Sequence, residues 1–252
     1  MMWINANKMK NKILIWLTGF LLCLGCKKND IGTSLLSTLN VINATVDAGQ
    51  AKVNYFGKTI SWKNYTSGTA AVNYGAVQLY AVTPGNNIHI VQSSDTTKSL
   101  FNGEVTENDR DIYSLYLTGT LAAPESIVKK ENLPPFYSDM SIGVRVINLS
   151  PNSDPVNVTL ESIPTVNEFT GVGYKSITEF KKLPYPAMLV TGSNVFQLRD
   201  AAGTLLASYT LPTEGLLSVT SARYRNITLV IKGLQGTTTG TNAFGAFAVA
   251  NF

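Results

Sequence analysis

After residue 26, the apolar residues of this chain recur at every second position, and no stretch sustains a 3.6-residue period. In Asp111–Leu117, one face carries Tyr113, Leu115 and Leu117; in Ser193–Leu198, one face carries Phe196 and Leu198. Strict alternation suits a strand with one face buried, because successive side chains point to opposite sides of a sheet. Turn-forming clusters interrupt the runs at Thr83-Pro84-Gly85-Asn86, Ser93-Ser94-Asp95, Asp200-Ala201-Ala202-Gly203 and Pro212-Thr213-Glu214-Gly215. Short strands at this spacing predict an all-β sandwich. Charged residues are only 14% of the chain, and Thr, Ser, Asn, Gly, Val and Tyr take their place. That balance favours strands and turns.

The pattern also repeats. Val41-Ile42-Asn43-Ala44 matches Val146-Ile147-Asn148-Leu149, and Val72-Asn73-Tyr74 matches Val172-Gly173-Tyr174. Tyr113 to Gly119 is placed like Ile227 to Gly233. The order holds while loop lengths differ, which predicts a duplicated unit. Between the halves lies Ala122 to Ser141, with Pro124, Lys129-Lys130-Glu131 and Pro134-Pro135. Paired prolines oppose ladder pairing, so 122–141 is expected to be a linker between domains at 38–121 and 142–252.

The second half opens Gly143-Val144-Arg145-Val146-Ile147-Asn148-Leu149-Ser150-Pro151-Asn152-Ser153-Asp154-Pro155-Val156-Asn157-Val158. This resembles the opening of the bacterial family catalogued as domain of unknown function 4397. Its members begin with a strand ending in an Asn/His-x-Ser-Pro turn, then a second strand and a Tyr-containing stretch, here Val172 to Thr178. The resemblance covers residues 141–233 well and 38–120 loosely, where Asn43-Ala44-Thr45 lacks the proline. It implies two tandem immunoglobulin-like β-sandwich domains on an exported protein, with no activity and no catalytic residue. The turn itself is physically sound: Pro151 suits the second position of a type I turn, and Asn152, Ser153 and Asp154 can serve turn backbone groups with their side chains.

The amino-terminal region has a different grammar. Lys8, Lys10 and Lys12 precede the apolar run Ile13 to Leu24, and Gly25 precedes Cys26. A basic segment, a short apolar segment and a small residue form a secretory signal. The apolar run is about half the length of a bilayer-spanning helix. Leu21-Leu22-Cys23-Leu24-Gly25-Cys26 resembles the lipobox of bacterial lipoproteins, with Cys23 where that family favours Leu. The resemblance implies cleavage between Gly25 and Cys26, lipidation of Cys26 and attachment to the membrane. A diacylglycerol thioether plus an N-acyl chain gives stable anchoring. Residues 26–37 read as the lipidated end and a polar tether. Met9 is an alternative start. Lys27-Lys28-Asn29-Asp30 loosely resembles the charged tag of Bacteroidetes lipoproteins, which implies an outer-membrane location on either the surface or the periplasmic face.

Removing residues 1–25 takes three of the 20 basic residues and no acid, leaving 17 against 16 acids and a net charge of +1. A nucleic-acid partner, which needs a clustered basic face, is not expected. One cysteine remains, so no internal disulfide forms and the fold relies on its core.

Catalytic patterns are weak. His89, the single histidine, lies between Ile88 and Ile90 on a predicted strand; if the isoleucines face the core, His89 faces solvent. Without a second His or a free Cys no zinc or copper site is expected, and no cofactor. No Gly-x-Ser-x-Gly elbow or phosphate-cradling loop is present. Glu161, Glu168 and Glu179 read as solvated acids rather than a glycosidase pair. Exposed aromatics remain: Trp62, Tyr65, Tyr74 and Tyr80 in the first half, and Phe136, Tyr137, Tyr174 and Tyr185 in the second. Most are expected to pack internally, with Trp62, Tyr65 and Tyr174 as the candidates for contact with a glycan or a surface protein. Asp95-Thr96-Thr97 resembles the O-glycosylation sequon of exported Bacteroidetes proteins, which makes Thr96 a candidate modification site. The expected function is a non-enzymatic, membrane-anchored lipoprotein displaying binding or scaffold modules. The alternatives are a fimbrial subunit that donates its last strand, Ala243 to Phe252, and a carbohydrate-active enzyme or accessory glycan-binding protein.

Overall fold

The computed structural model describes residues 35–64, 71–105, 108–139, 141–184, 194–212 and 224–251. The signal segment, the Gly25–Cys26 cleavage site, Tyr65 and Tyr185 lie outside the described residues.

The first half contributes β1 (Ser37–Asn43), β2 (Ala51–Asn54), β3 (Ala71–Val72), β4 (Ala76–Val82), β5 (Asn87–Gln92), β6 (Ser99–Glu104), β7 (Ile112–Thr120) and β8 (Ala123–Lys130). They form two four-stranded sheets, ordered β4-β1-β7-β8 and β3-β2-β5-β6. The second half contributes β9 (Ile142–Asn148), β10 (Val156–Leu160), β11 (Ile163–Val172), β12 (Lys181–Leu183), β13 (Val195–Arg199), β14 (Leu205–Thr210), β15 (Asn226–Lys232) and β16 (Gly245–Asn251). Their orders, β12-β9-β15-β16 and β11-β10-β13-β14, repeat those of the first half strand for strand. In each half the first and seventh strands run parallel: Ile42 pairs with Tyr116 and Ile147 with Val230. The sequence matches noted above fall in equivalent register.

Alternation explains the cores. Leu39, Val41, Val53, Ile88, Ile90, Tyr113, Leu115 and Leu117 join one cluster between the first pair of sheets. Val144, Val146, Val158, Phe196, Leu198, Ile227, Leu229 and Ile231 join another between the second pair. Each fully buried aliphatic side chain contributes about 1.5–3 kcal/mol relative to exposure. The opposite faces of β1, β7, β9 and β15 are buried too. There Ile42, Ala44, Tyr116, Ile147, Leu149, Val230 and Val249 form a third cluster that joins the halves. From Leu35 onward the chain is one compact unit.

Two small features recur. Asn43 and Asn148 are both fully buried at the ends of β1 and β9. Each side-chain amide donates to the third strand of its half, at Val72 O and Val172 O, and each amide oxygen accepts the backbone N–H two residues on. Gly119 and Gly233 have φ of 74° and 84°, and a Cβ would come within 2.4 Å and 2.2 Å of a backbone carbonyl oxygen, so only glycine fits. At the Ser150-Pro151 turn, Ser153 N and Oγ both donate to Ser150 O. The Asn152 side chain instead exchanges hydrogen bonds with the Gln235 backbone.

The expected linker at 122–141 is corrected at its start. Residues 123–130 form β8, paired with β7 through eight positions. Pro124 is tolerated because β8 is an edge strand and the proline is its second residue. The stretch around Pro134-Pro135 has no regular structure. Residues 245–251 close their own sheet against β15.

Candidate functional site

The outer face of the sheet β3-β2-β5-β6 holds a row of polar side chains set by strand register. Asn54 pairs with His89, and His89 with Asn102. Ile88 and Ile90 point into the core at 0% exposure, so His89 points the other way, as the alternation predicts. It remains partly exposed. The first part of the connection from β2 to β3, residues 55–64, returns over this face and sets Trp62 in a 3-10 turn, Trp62–Asn64. The indole and imidazole centroids are 5.5 Å apart at 73°, an edge-to-face pair.

Together they wall a cavity of about 450 Å³ lined by Asn54, Gly57, Lys58, Thr59, Ile60, Trp62, Asn87, His89 and Asn102. The volume suits a small organic ligand. Asn54 shapes the loop: its Nδ2 donates to Lys58 O at 2.7 Å and its Oδ1 accepts from Phe56 N at 3.2 Å. Gly57 turns the loop at φ 68°, where a Cβ would lie 2.7 Å from Asn86 Oδ1. Asn87 Nδ2 donates to Asn102 Oδ1 at 2.8 Å, which leaves Asn87 Oδ1 as an acceptor and Asn102 Nδ2 as a donor at the cavity. Burial lowers the His89 pKa from its ordinary value, which favours the neutral ring, with one donor and one acceptor nitrogen. Among the described residues, the lining offers an aromatic corner, amides and one cation, Lys58, with no carboxylate.

The second half fills the equivalent row differently. Thr159 pairs with Gln197 and Gln197 with Ser208. Arg199 bonds to the first two: Nε donates to Thr159 Oγ1 and NH2 to Gln197 Oε1, while NH1 donates to Gly203 O. The β10–β11 connection is only Glu161 and Ser162, too short to cover the face.

Tyr174 lies elsewhere, where the halves meet. Its hydroxyl donates to Glu125 Oε1 at 3.1 Å and sits 3.3 Å from Thr118 Oγ1. Lys175, 5.4 Å from the Tyr174 ring centroid, pairs with Glu125. Tyr74 makes the reciprocal contact under Lys232, whose Nζ is 4.8 Å from its ring, and burial pushes its hydroxyl pKa up to about 12. Thr96 is half-exposed in the β5–β6 turn, where Asp95 Oδ1 accepts from Thr97 N and Oγ1.

The sequence reading missed a charged network at the junction of the halves. Arg145 and Glu131 side chains are 2% and 0% exposed and pair through two 2.7 Å bonds. Arg145 NH2 also donates to Tyr116 Oη at 2.9 Å, and Nε donates to Thr228 Oγ1, which donates to Asn251 Oδ1. The guanidinium carbon is 4.6 Å from the Phe180 ring centroid. Burial opposes the charge on Arg145, but Glu131 and Tyr116 outweigh it and raise the pKa; burial pushes Tyr116 up to about 12. The one sequence signal is an arginine inside the otherwise uncharged run Ile142–Leu149. Among the described residues, no cluster of three or more His, Cys, Asp or Glu side chains is placed to hold a metal ion. Comparison with protein-family models and with curated proteins gives no match to the chain.

Proposed function

We propose that this chain is an exported lipoprotein, acylated at Cys26 after removal of residues 1–25, whose two immunoglobulin-like β-sandwich modules form a non-catalytic binding body. The reading places it on the outer membrane, at the surface or the periplasmic face, with a glycan or a surface protein as its partner. The Trp62–His89 cavity carries this reading. It combines an aromatic corner with amide groups, the chemistry of recognition sites, and among the described residues its lining offers no carboxylate pair for glycoside hydrolysis. The fused halves support a rigid display body, since separating them would expose an apolar cluster and a buried ion pair. The alternating strands and the Asn148–Ser153 turn support the sandwich assignment.

Metabolic labelling with an alkyne fatty acid tests the anchor. The expected result is label on the wild-type chain, loss of label and of membrane association in Cys26→Ala, and no change in Cys23→Ala. Unchanged labelling in Cys26→Ala would overturn the assignment. Protease shaving of intact cells then distinguishes the two faces of the membrane.

A further inference from the structure

We infer that the Trp62 cavity binds a pyranose sugar, with a C–H face of the ring against the aromatic corner and two neighbouring hydroxyls on the Asn87–Asn102 amide pair. The inference rests on the reading of the chain as an exported binding module and names the ligand of that module.

The geometry makes three demands on a ligand. First, Trp62 and His89 meet at 73° and form two walls of a corner, which takes a compact body with an apolar face. A pyranose presents such a face through its axial hydrogens, while a flexible peptide side chain loses more entropy on ordering. Second, Asn87 and Asn102 bond to each other and keep one acceptor and one donor at the cavity. A vicinal diol supplies both a donor and an acceptor, the two kinds of group this pair calls for. Leaving either unpaired beneath a bound ligand would cost the desolvation of a polar group. Third, a volume of about 450 Å³ holds one sugar with room for a second.

The comparison between halves supports the assignment independently. In the second half Arg199 bonds to Thr159 and Gln197 across the row, and in the matching register position the first half has Val91. A valine cannot reach across the strands, so Asn54, His89 and Asn102 are left to be covered by the Trp62 connection. The same scaffold is therefore plugged in one half and elaborated into a cavity in the other.

The test uses the lipidated chain purified from membranes in detergent. The probes are methyl glycosides of glucose, galactose, mannose and N-acetylglucosamine, which cover the equatorial and axial arrangements of neighbouring hydroxyls. Binding is read by isothermal titration and by saturation-transfer NMR. Outside residues 1–25, Trp62 is the single tryptophan, so its emission gives a further readout. At least one probe is expected to saturate and shift Trp62 emission. Trp62→Ala should weaken it roughly tenfold or more, with Trp62→Phe in between. Asn102→Ala, on a strand, should weaken it several-fold with an unchanged unfolding midpoint, and Ser208→Ala, the equivalent exposed position in the second half, should leave it intact. No saturation by any probe, or binding that survives Trp62→Ala, would overturn the inference. Acylation at Cys26 is scored separately. Label on Cys26 without sugar binding refutes the ligand alone, while sugar binding without label refutes the anchor alone.

Discussion

Replacing Glu131 by glutamine tests how the halves are joined. The substitution keeps the shape of the side chain and removes its charge. Arg145 would then be a guanidinium at 2% exposure with no counter-charge, and one of its two 2.7 Å acceptors would become an NH₂ group facing its own N–H donors. Tyr116 Oη and Thr228 Oγ1 would remain as partners, but neither carries charge. Removing one member of a buried pair costs about 3–5 kcal/mol, because the survivor stays desolvated and uncompensated. A chain of this size loses about 2–4 °C of melting temperature per kcal/mol, which gives a drop of roughly 6–20 °C. Calorimetry and urea unfolding of Glu131→Gln should report this loss with little change in the slope of the urea transition. Asp111→Asn, which breaks the exposed pair with Lys130, is the control and should barely move the midpoint. The decisive variant is Glu131→Leu combined with Arg145→Met. Removing both charges lifts the desolvation cost, so the double variant should be clearly less destabilised than the sum of its singles. If Glu131→Gln costs less than about 1 kcal/mol, or if the singles simply add, the pair is solvated and the segment after β8 does not dock on the junction.

Two further outcomes follow from buried polar groups. Asn148→Ala strands the Ser150 N–H and the Val172 carbonyl, so it should cost about 2–4 kcal/mol in urea unfolding. Asn43→Ala removes the equivalent but longer bonds, at 3.2 and 3.3 Å, and should cost less. For His89, the folded-state pKa lies below the ordinary value of 6.5, so the unfolded chain takes up its proton first as pH falls. Stability should therefore decline from about pH 6.5 down to the lowered folded value and level off beneath it. His89→Gln, which copies Gln197 of the second half, should abolish that decline in unfolding midpoints measured between pH 7.5 and 5.

The strands were legible because half-buried sheets impose alternation, and Leu115, Leu117, Phe196 and Leu198 do enter the cores the pattern assigned to them. The repeat was legible because Asn43 and Asn148 are held to one residue type by the same hydrogen bonds. β8 was not, since prolines mark linkers and edge strands alike. The junction was not legible either: Ser114, Tyr116 and Thr118 look like a solvent face until a second sheet covers it, and Arg145 and Glu131 are the residue types that usually stay wet. For the cavity, alternation indicated which way His89 points. That Trp62, 27 positions earlier, lies against it depends on the path of the 55–64 loop, which is fixed by Asn54, Gly57 and Asn86 and carries no periodicity.

The duplication also separates what the scaffold requires from what one copy adds. Features needed to close each pair of sheets occur in both halves: the buried asparagine, the left-handed glycine and the parallel first and seventh strands. Those features constrain the fold and say nothing of a ligand. The outer row of the second strand, the fifth and the sixth is under no such constraint, and it is there that the halves diverge. Thr159 Oγ1 and Gln197 Oε1 both accept hydrogen bonds from Arg199. Asn54, His89 and Asn102, with a valine in place of that arginine, are flanked instead by residues 57–62 of the β2–β3 connection, which brings the one tryptophan outside residues 1–25. A two-residue hairpin such as Glu161-Ser162 would join the same strands at less entropic cost. The longer connection carries that cost and sets Trp62 against His89, which is the physical reason the proposed ligand site lies in this half and at this face.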